Sequence, residues 1–247
     1  MMEGRTYLDG RELTREEFYR RLPGLSSPPT TAAPSPASFE AVYRKLIDQG
    51  YGRIFSLHIS SKLSGMINAA AQAAKQFGNR VQIFDSGQVS LGLGFQVIEA
   101  GLAAAQGLSL EAVREYARQA RERTQVVAMI NTLEYLRRSG RVSWLRAGMG
   151  DLLKIKLLVR VRDGVVEPLN RIRTRQKALE YLAEWASHWD SIERLAVLHA
   201  NAIEDARTLA DQLRSLCASA PLIVDVTTII GVHVGPGAVG LAALPGS

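Results

Sequence analysis

The stretch RIFSLHISSKLSG, residues 53–65, decides the fold. It begins with a short apolar run and ends in serine and glycine positions, and an alanine-rich segment from about Met66 to Gln76 follows it. The apolar run predicts a strand, and the alanine-rich segment predicts a helix. The same order returns at once, because VQIFDS, residues 81–86, precedes glycine-rich turn residues and a helical stretch that ends at Ala105. Strands that alternate with helices predict βαβ units and a parallel sheet.

A proline-rich segment precedes this unit and lies between two predicted helices. Residues 23–36 hold five of the nine prolines, with serine and threonine among them, and this composition predicts a loop with a stiff backbone. Thr14 opens a capping-box pattern that predicts a short helix before the loop. Ser35, followed by Pro36 at the first helical position, predicts the start of the next helix. Further along, Ser109 is predicted to cap the helix that precedes the C-terminal half.

The pattern changes near residue 125. The predicted order from there is a strand at 126–130, a short helix at 133–138, a β-hairpin at 152–174, a helix at 176–189, a strand at 195–200, a helix capped by Asn201 and a strand at 222–235. We therefore expect an α/β protein of two domains. Residues 1–125 are expected to form a parallel α/β domain, and residues 126–247 a mixed, largely antiparallel α+β domain.

Asp163-Gly164 fixes the register of the predicted hairpin, because this dipeptide is a strong two-residue turn signal. The opposing pairs are then Lys156 with Arg171, Lys154 with Arg173, and Arg160 with Glu167. One face of the hairpin is therefore basic. The apolar residues alternate onto the opposite, core-facing side: Ile155, Leu157, Val159, Val161, Val166 and Ile172. The basic face is either a solvated surface or a docking face for an anionic partner, and the sequence leaves both open.

Composition excludes several classes of protein. The 247 residues carry 30 basic and 24 acidic side chains, and 47% of them are hydrophobic, which is enough for a substantial core. Because Cys217 is the single cysteine, an internal disulfide and a multi-cysteine zinc site are excluded. The first ten residues lack the apolar core of a signal peptide, and Glu99 and three glycines interrupt the apolar stretch 89–105. We expect a cytoplasmic protein without a membrane span.

Three clusters of hydroxyl-bearing residues lie in loops that enter predicted helices. They are Thr30 with Thr31, Ser60 and Ser61 with Ser64, and Asp85 with Ser86. In open parallel sheets, ligands bind beyond the carboxyl ends of the strands, where helix N-termini present free N–H groups. Hydroxyls there can bind one carboxylate or phosphate without a cation. Taken singly, each cluster is more typical of a helix cap than of a ligand site.

His233 lies among four glycines between residues 231 and 240, which allow the backbone to approach a ligand closely. A lone histidine is also commonly bonded within the fold, and both interpretations stay open. An enzyme alternative is a serine hydrolase that uses Ser61 or Ser64 with His233 and Asp85. The chain lacks the G-x-S-x-G, P-loop, H-E-x-x-H and C-x-x-C patterns. A nucleic-acid interface on the basic hairpin is the weaker rival, because the hairpin lacks interleaved aromatic residues.

Together these segments resemble the DegV family of bacterial fatty-acid-binding proteins. The similar motifs are Pro29-Thr-Thr-Ala-Ala-Pro-Ser-Pro36, Ile59-Ser-Ser-Lys-Leu-Ser-Gly65, Phe84-Asp-Ser86 with Ser90-x-Gly-x-Gly94, Leu136-Arg-Arg-Ser-Gly-Arg-Val-Ser143, Leu153-Lys-Ile-Lys156, the Asp163-Gly164 turn, Arg171-x-Arg-Thr-x-x-Lys-Ala178 and His233-x-Gly-Pro-Gly237. They fall in the family's order from about Tyr7 to Leu241. Each motif is short, and their order and spacing carry the resemblance.

The resemblance implies a non-catalytic, lipid-binding subunit of a fatty acid kinase system. It implies that a long-chain fatty acid is the ligand, without a cofactor or metal, and that the acyl chain is buried between two domains. The implied carboxylate-binding residues are Thr31, Ser61, Ser64 and His233. The implied pocket loops contain Thr30, Ser60, Gly65, Asp85, Ser86, Gly235 and Gly237. A separate ATP-dependent kinase subunit would phosphorylate the bound carboxylate, with Arg171 and Arg173 at the docking face.

The chain departs from the family pattern in two places. The family usually opens with a strand that carries a D-S-x-x-D motif, and this chain begins at a segment similar to the one that follows it, so we expect the first strand of the parallel sheet to be missing. The second departure is Ala32-Ala33, where the family prefers Ser-Gln. This change removes two polar side chains next to Thr31.

Overall fold

The computed structural model of the chain describes residues 1–142 and 155–246. The helices are α1 (Arg15–Arg21), α2 (Pro36–Asp48), α3 (Met66–Ala74), α4 (Leu91–Ala105), α5 (Leu110–Arg123), α6 (Leu133–Ser139), α7 (Arg175–Ala186), α8 (Ile203–Leu213) and α9 (Thr228–Val234). The strands are β1 (Ile54–His58), β2 (Val81–Asp85), β3 (Gln125–Ile130), β4 (Lys156–Arg162), β5 (Val165–Ile172), β6 (Ile192–His199), β7 (Leu222–Asp225) and β8 (Val239–Pro245). Strands and helices therefore alternate from β1 to α4, as the sequence predicts.

The chain divides into two compact units. The first unit is Met1–Ala32, Gln125–Arg160 and Val166–Ser247, and the second unit is Ala33–Thr124 and Val161–Val165. The sequence also placed a division near residue 125, but it grouped the first 32 residues with the N-terminal domain. They cluster with the C-terminal residues because the Thr228 N–H donates to Asp9 Oδ1 at 3.0 Å and the Tyr19 side chain packs on Gly231.

The second unit contains the parallel sheet that the residue 53–65 stretch predicts. Strand β1 pairs with β2 in parallel, from Ile54 beside Val81 to His58 beside Asp85. One apolar cluster packs α2 and α3 on these strands, and another packs α4 and α5 on them. The parallel α/β prediction for this part of the chain is therefore confirmed.

The first unit contains a six-stranded sheet in the order β5-β4-β3-β8-β6-β7. Strand β8 pairs antiparallel with β3 and with β6, whereas β6 and β7 are parallel. Helices α7 and α8 cover the sheet and bury Leu182 and Leu209 against Val197 and Leu241. This arrangement confirms the mixed, largely antiparallel sheet.

Three of the four predicted capping residues mark the start of a helix. The side chains of Thr14, Ser35 and Ser109 each accept a backbone N–H from the first turn of their helix. This contact satisfies an N–H group that otherwise has no partner inside the helix. The prediction that Asn201 caps a helix was wrong, because α8 begins at Ile203 and its N-cap residue is Ala202.

The predicted strand at 222–235 was wrong beyond Asp225. Only β7 is a strand, and α9 follows it, because the Thr227 side chain accepts the Ile230 N–H and starts a helix. The β-branched residues of this segment favour a strand locally, but packing of the helix against α1 decides the outcome. The sequence also left β8 unassigned, although this strand lies between two others in the larger sheet.

The hairpin turns at Asp163 and Gly164, which both have positive φ. Arg160 Nε lies 3.2 Å from Glu167 Oε2, in agreement with the predicted pairing. Leu157, Val159 and Val161 are buried, as expected for the core side, whereas Val166 and Ile172 are only partly buried. Leu158, on the side predicted to be basic, is also fully buried, so the prediction of a single core face was wrong there. Other predicted features of this region, among them Ser143, Leu153 and the pairing of Lys154 with Arg173, lie outside the described residues.

Candidate functional site

Thr31 and His233 are brought together in the first unit. Thr31 Oγ1 lies 3.5 Å from His233 Nε2, although the two residues are 202 positions apart in the chain. Thr31 lies in the proline-rich segment, and His233 lies in the last turn of α9. A distance of 3.5 Å is at the long limit for a hydrogen bond, so this contact is weak and a closer partner can replace it.

His233 is a neutral imidazole at pH 7. Burial, followed by the nearby positive charge of Arg141, lowers the pKa of His233 to about 4. Its Nδ1 atom is buried, and within the described part of the chain it has no hydrogen-bond partner. A buried polar atom without a partner costs free energy, so this nitrogen lowers the stability of the folded site.

A pocket of about 120 Å³ lies around this pair. We call it the Thr31 pocket. Its lining residues are Leu22, Leu25, Ser27, Pro28, Pro29, Thr30, Thr31, Tyr135, Arg138, Ser139, Arg141, Val232 and His233. Pockets that enclose whole small-molecule ligands have volumes of about 300–1,000 Å³. The Thr31 pocket therefore has room for a small polar group, and its hydroxyls and guanidinium groups suit an anion.

The two glycines predicted near His233 have different structural roles. Gly235 has φ of +72°, and a Cβ atom there would clash with the ring of Tyr135, so the glycine lets Tyr135 line the pocket. The carbonyl oxygen of Gly237 accepts a hydrogen bond from Arg175 Nη1 at 2.7 Å, and Arg175 also pairs with Asp205. Gly237 therefore belongs to a polar network next to the larger sheet.

The second hydroxyl cluster lies in the second unit, in the loop between β1 and α3. We call residues 60–65 the serine loop. Ser60 is buried, and its Oγ donates to the carbonyl oxygen of Gly164 at 2.7 Å. The Ser64 Oγ accepts the Met66 N–H at 3.2 Å and so supports the start of α3. Gly65 is exposed, and the space where a Cβ atom would lie is open.

The third cluster, Asp85 and Ser86, also bonds within the second unit. Burial raises the pKa of Asp85, but hydrogen bonds from Ser61 and from the Gly87 N–H, together with Arg121, outweigh it and leave the pKa lowered. Ser86 is fully buried, and its Oγ accepts the Gln88 N–H at 3.1 Å. Asp85 is therefore a carboxylate whose oxygens hold the serine loop.

These contacts give no support to a serine hydrolase. In a triad, an imidazole lies between the serine and the carboxylate. Here Ser61 bonds directly to Asp85, and the second unit's His58 bonds to Ser56 Oγ at 2.8 Å through its Nε2. Burial is the main cause of the lowered pKa of His58, and Asp85 opposes it only in part. His58 is thus structural, as the sequence predicts.

The basic hairpin presents exposed guanidinium groups. Arg171 and Arg173 are both exposed, whereas Lys156 Nζ donates to the Asn131 carbonyl oxygen at 2.9 Å. The predicted docking role of Arg171 and Arg173 stays a prediction. Their exposure leaves them accessible to a partner.

Sequence reasoning assigned no role to Tyr135, Arg138 and Arg141, which line the Thr31 pocket. The motif Leu136-Arg-Arg-Ser-Gly-Arg was part of the family resemblance, but nothing in its spacing indicates that these arginines lie near His233. Among residues 1–142 and 155–246, no group of three or more His, Cys, Asp or Glu side chains could hold a metal ion. No helix within those residues has the length and apolarity needed to cross a membrane.

Comparison with known proteins gives concordant matches. A family model described as an uncharacterised protein of the DegV family matches residues 1–246. A DegV domain-containing protein from Deinococcus radiodurans is 34% identical over 249 aligned positions, which cover 99% of this chain and 88% of that protein. A second one, from Streptomyces coelicolor, is 35% identical and covers 87% of this chain and 78% of its own length.

Solved structures share the fold. One of them is a DegV family protein from Thermus thermophilus, and its description is fatty acid binding. Its TM-score is 0.90 at 33% identity, and the match covers 99% of this chain and 89% of that one. DegV from Bacillus subtilis, described as a fatty acid binding protein, has a TM-score of 0.86 at 30% identity, over 100% of this chain and 89% of that one. With a family match from residue 1 to residue 246, close relatives and the same fold, this chain belongs to the DegV family.

Proposed function

We propose that this protein binds a long-chain fatty acid and that Thr31 and His233 bind its carboxylate. The observation that carries the proposal is the 3.5 Å contact between Thr31 Oγ1 and His233 Nε2 inside a pocket sized for a small polar group. Relatives of the same fold that are described as fatty acid binding proteins support it. The prediction that Ser61 and Ser64 also bind the carboxylate comes from the family resemblance and stays a prediction.

The chemistry of the pair suits a carboxylate that must remain reactive. A threonine hydroxyl and a neutral imidazole each donate a hydrogen bond without forming an ion pair. The acyl chain supplies most of the affinity, because each buried methylene contributes about 0.8 kcal/mol. The head group then needs only a few donors to fix its position, and its oxygens keep lone pairs for reaction.

We infer further that the protein presents this carboxylate to a separate ATP-dependent kinase. In that step a carboxylate oxygen attacks the γ-phosphorus of ATP, a new P–O bond forms, and the bond to ADP breaks, so the products are acyl phosphate and ADP. ATP and its binding site belong to the kinase. The exposed Arg171 and Arg173 are the proposed contact with that partner, since arginine suits an acidic protein face.

Lipid binding is tested by native mass spectrometry of the purified protein and by titration with palmitate. We expect a co-purifying fatty acid or saturable palmitate uptake. Thr31→Val and His233→Gln should each weaken palmitate binding by about tenfold, the loss of one hydrogen bond to a charged group. The matched control is Thr208→Val on α8, whose exposed hydroxyl bonds to the Glu204 carbonyl oxygen. If the wild-type protein neither carries nor takes up a fatty acid, the proposal is wrong.

Kinase presentation is tested separately, with a purified ATP-dependent fatty acid kinase and hydroxylamine trapping of the acyl phosphate. Arg173→Ala should slow acyl phosphate formation and leave the palmitate dissociation constant unchanged. Arg162→Ala is the control, because Arg162 is exposed on the same hairpin but outside the proposed contact. Equal rates for the Arg173 variant and the wild type would contradict the docking role.

A further inference from the structure

Arg175 bonds to three other segments of the first unit through its side chain. Its Nε and Nη2 donate to Asp205 Oδ2 at 3.1 Å and 2.5 Å. Its Nη1 donates to Asn131 Oδ1 at 3.2 Å and to the Gly237 carbonyl oxygen at 2.7 Å. Arg175 begins α7, and Asp205 lies in the first turn of α8. Asn131 directly follows β3, and Gly237 lies between α9 and β8, so the guanidinium connects segments that are far apart in the chain.

Two of these contacts lie next to the helices that build the Thr31 pocket. Helix α6 begins just after Asn131 and supplies Tyr135 to the pocket lining. Helix α9 ends just before Gly237 and supplies His233. Arg175 is not among the described residues that line the pocket. Its side chain therefore acts from outside the pocket, where it connects the start of α6 to the end of α9.

The contact with Gly237 depends on the absence of a side chain. Gly237 has φ of +80°, and a Cβ atom there would lie 2.8 Å from Asn131 Nδ2 and 3.4 Å from Arg175 Nη1. The Gly237 N–H donates to the Ala200 carbonyl oxygen at 2.7 Å, and the Asn131 carbonyl oxygen accepts from Lys156 Nζ at 2.9 Å. The segments that contain Gly237 and Asn131 are thus in direct contact, and Arg175 bonds to both of them.

Asp205 sets the direction in which the guanidinium points. A guanidinium holds its N–H groups in one rigid plane, so an acid that accepts from Nε and Nη2 also fixes the direction of Nη1. The side chains of Arg175 and Asp205 are 30% and 34% exposed, so water screens their charge attraction. The main effect of the pair is therefore to aim Nη1 at Asn131 and Gly237.

We propose that Arg175, oriented by Asp205, is a positioning residue that fixes α6 against α9 and so keeps His233 in the Thr31 pocket. The inference rests on the proposed function, because it names a residue on which carboxylate binding at that site depends. Arg175 acts through His233 and does not touch the ligand. Without the guanidinium, the ends of α6 and α9 separate, water enters the pocket and His233 becomes less buried.

The first test is an NMR titration of the His233 imidazole against pH in the ligand-free protein. Among the described residues, burial and then the charge of Arg141 lower the pKa of His233 to about 4. Arg175→Gln should raise this pKa by about 1, because water then reaches the ring. The control is Arg207→Gln, which removes an exposed arginine of α8 that pairs with Glu204 and should leave the pKa unchanged. An unchanged pKa in the Arg175 variant would overturn the proposal.

The second test is palmitate titration of single and double variants. Arg175→Gln should weaken palmitate binding by about tenfold, as His233→Gln does. The double variant should bind no more weakly than His233→Gln alone, because the two residues act through one contact. Additive losses would mean that Arg175 acts independently of His233, and the positioning role would be wrong. Arg175→Lys should not restore binding, because an ammonium lacks the planar fork that bonds to all three partners.

The two tests separate this inference from the proposed function. If the wild type binds no palmitate, the proposed function is refuted, and the NMR titration still decides the positioning role. If palmitate binds and Arg175→Gln changes neither the His233 pKa nor the affinity, the positioning role is refuted and the proposed function stands. If Arg175→Gln does not fold, both measurements are made on Asp205→Asn, which keeps the shape of the acid but weakens the charge-assisted bonds. The same changes are then expected in smaller size, and their absence refutes the positioning role.

Discussion

The Thr31 pocket and the serine loop were both predicted to bind a carboxylate, yet their hydrogen bonding differs. In the Thr31 pocket the central contact is long, at 3.5 Å, and the buried Nδ1 of His233 has no partner within the described residues. In the serine loop the polar groups are engaged: Ser60 with Gly164 and Ser61 with Asp85. Polar groups of the Thr31 pocket can still form hydrogen bonds with a ligand, whereas most polar groups of the serine loop already bond within the protein.

This difference indicates a binding role for the Thr31 pocket and a structural role for the serine loop. A hydroxyl that already bonds to the backbone must exchange that bond for a ligand contact, so its net gain on binding is small. A hydroxyl whose only contact is long and weak, as that of Thr31 with His233 is, loses little when a ligand replaces that contact. We therefore expect changes in the serine loop to act mainly on stability and changes in the Thr31 pocket to act mainly on binding.

The largest expected effect is on the serine loop's anchor. Gly164 has φ of +78°, and a Cβ atom there would lie 2.6 Å from Ser60 Oγ. Gly164→Ala should lower the free energy of unfolding by about 2–4 kcal/mol, from backbone strain and this close contact together. The measurement is urea denaturation. Gly107→Ala is the control, because Gly107 ends α4 in the left-handed conformation, with φ of +75° and open space around it, and it should cost about 1 kcal/mol.

A double variant sharpens this result. Ser60→Ala removes the atom that the new methyl group would meet, so it should recover part of the loss caused by Gly164→Ala. If Gly164→Ala and Gly107→Ala cost the same, the contact between Ser60 and Gly164 does not hold the loop.

A smaller effect is expected at Asp85. Asp85→Asn keeps the size of the side chain but weakens the hydrogen bonds from Ser61 and Gly87 and removes the charge that Arg121 stabilises. We expect a loss of about 1–2 kcal/mol in unfolding free energy at pH 7, and little change in palmitate affinity. Asp48→Asn, at the exposed end of α2, is the control and should stay within about 0.5 kcal/mol. If Asp85→Asn instead weakens palmitate binding strongly and leaves the free energy of unfolding unchanged, the serine loop acts in binding and not in stability.

The Thr31 pocket should have its own pH dependence. Because burial lowers the pKa of His233 from 6.5 to about 4, the unfolded chain binds a proton there before the folded chain does. The stabilising contribution is therefore complete above pH 6.5 and is lost as the pH falls towards 4. We expect a loss of about 2 kcal/mol between pH 7 and pH 5 that His233→Gln abolishes. His188→Gln, on an exposed side chain, should retain the wild-type dependence when melting temperature is followed against pH.

The smallest effect on stability is expected at Gly65, in the serine loop. Its φ is not positive, and a Cβ atom would meet nothing within 4 Å, so Gly65→Ala should change the free energy of unfolding by less than about 0.5 kcal/mol. Palmitate titration of this variant then tests whether the ligand binds next to the serine loop. Unchanged affinity would leave the Thr31 pocket as the carboxylate site and remove Gly65 from it.

Sequence could predict those parts of the fold whose cause is local. Thr14, Ser35 and Ser109 each satisfy an N–H group a few residues away, so the cap and its helix are visible in one short window. Strands β1 and β2 were predictable for a similar reason, since each is a compact apolar run bounded by turn residues.

Features that depend on distant packing were not predictable. The segment after Asp225 is rich in β-branched residues, yet it forms α9 because Gly231 allows close contact with Tyr19 of α1. In the Thr31 pocket, Thr31 and His233 meet across 202 positions, and only the family resemblance joined them. The place of Arg141 in the pocket depends on the end of α6 and had no local signal.

Strand β8, Val239–Pro245, lies between β3 and β6 in the larger sheet. During synthesis the ribosome delivers this strand long after β3, so the sheet cannot close until residue 245 has left the exit tunnel. The second unit, Ala33–Thr124 and Val161–Val165, has emerged well before that time, and domains generally fold as units as they appear. The nascent protein should therefore pass through a state in which the second unit is folded. In that state residues 1–32 stay unpacked and accessible to chaperones until β8 is available.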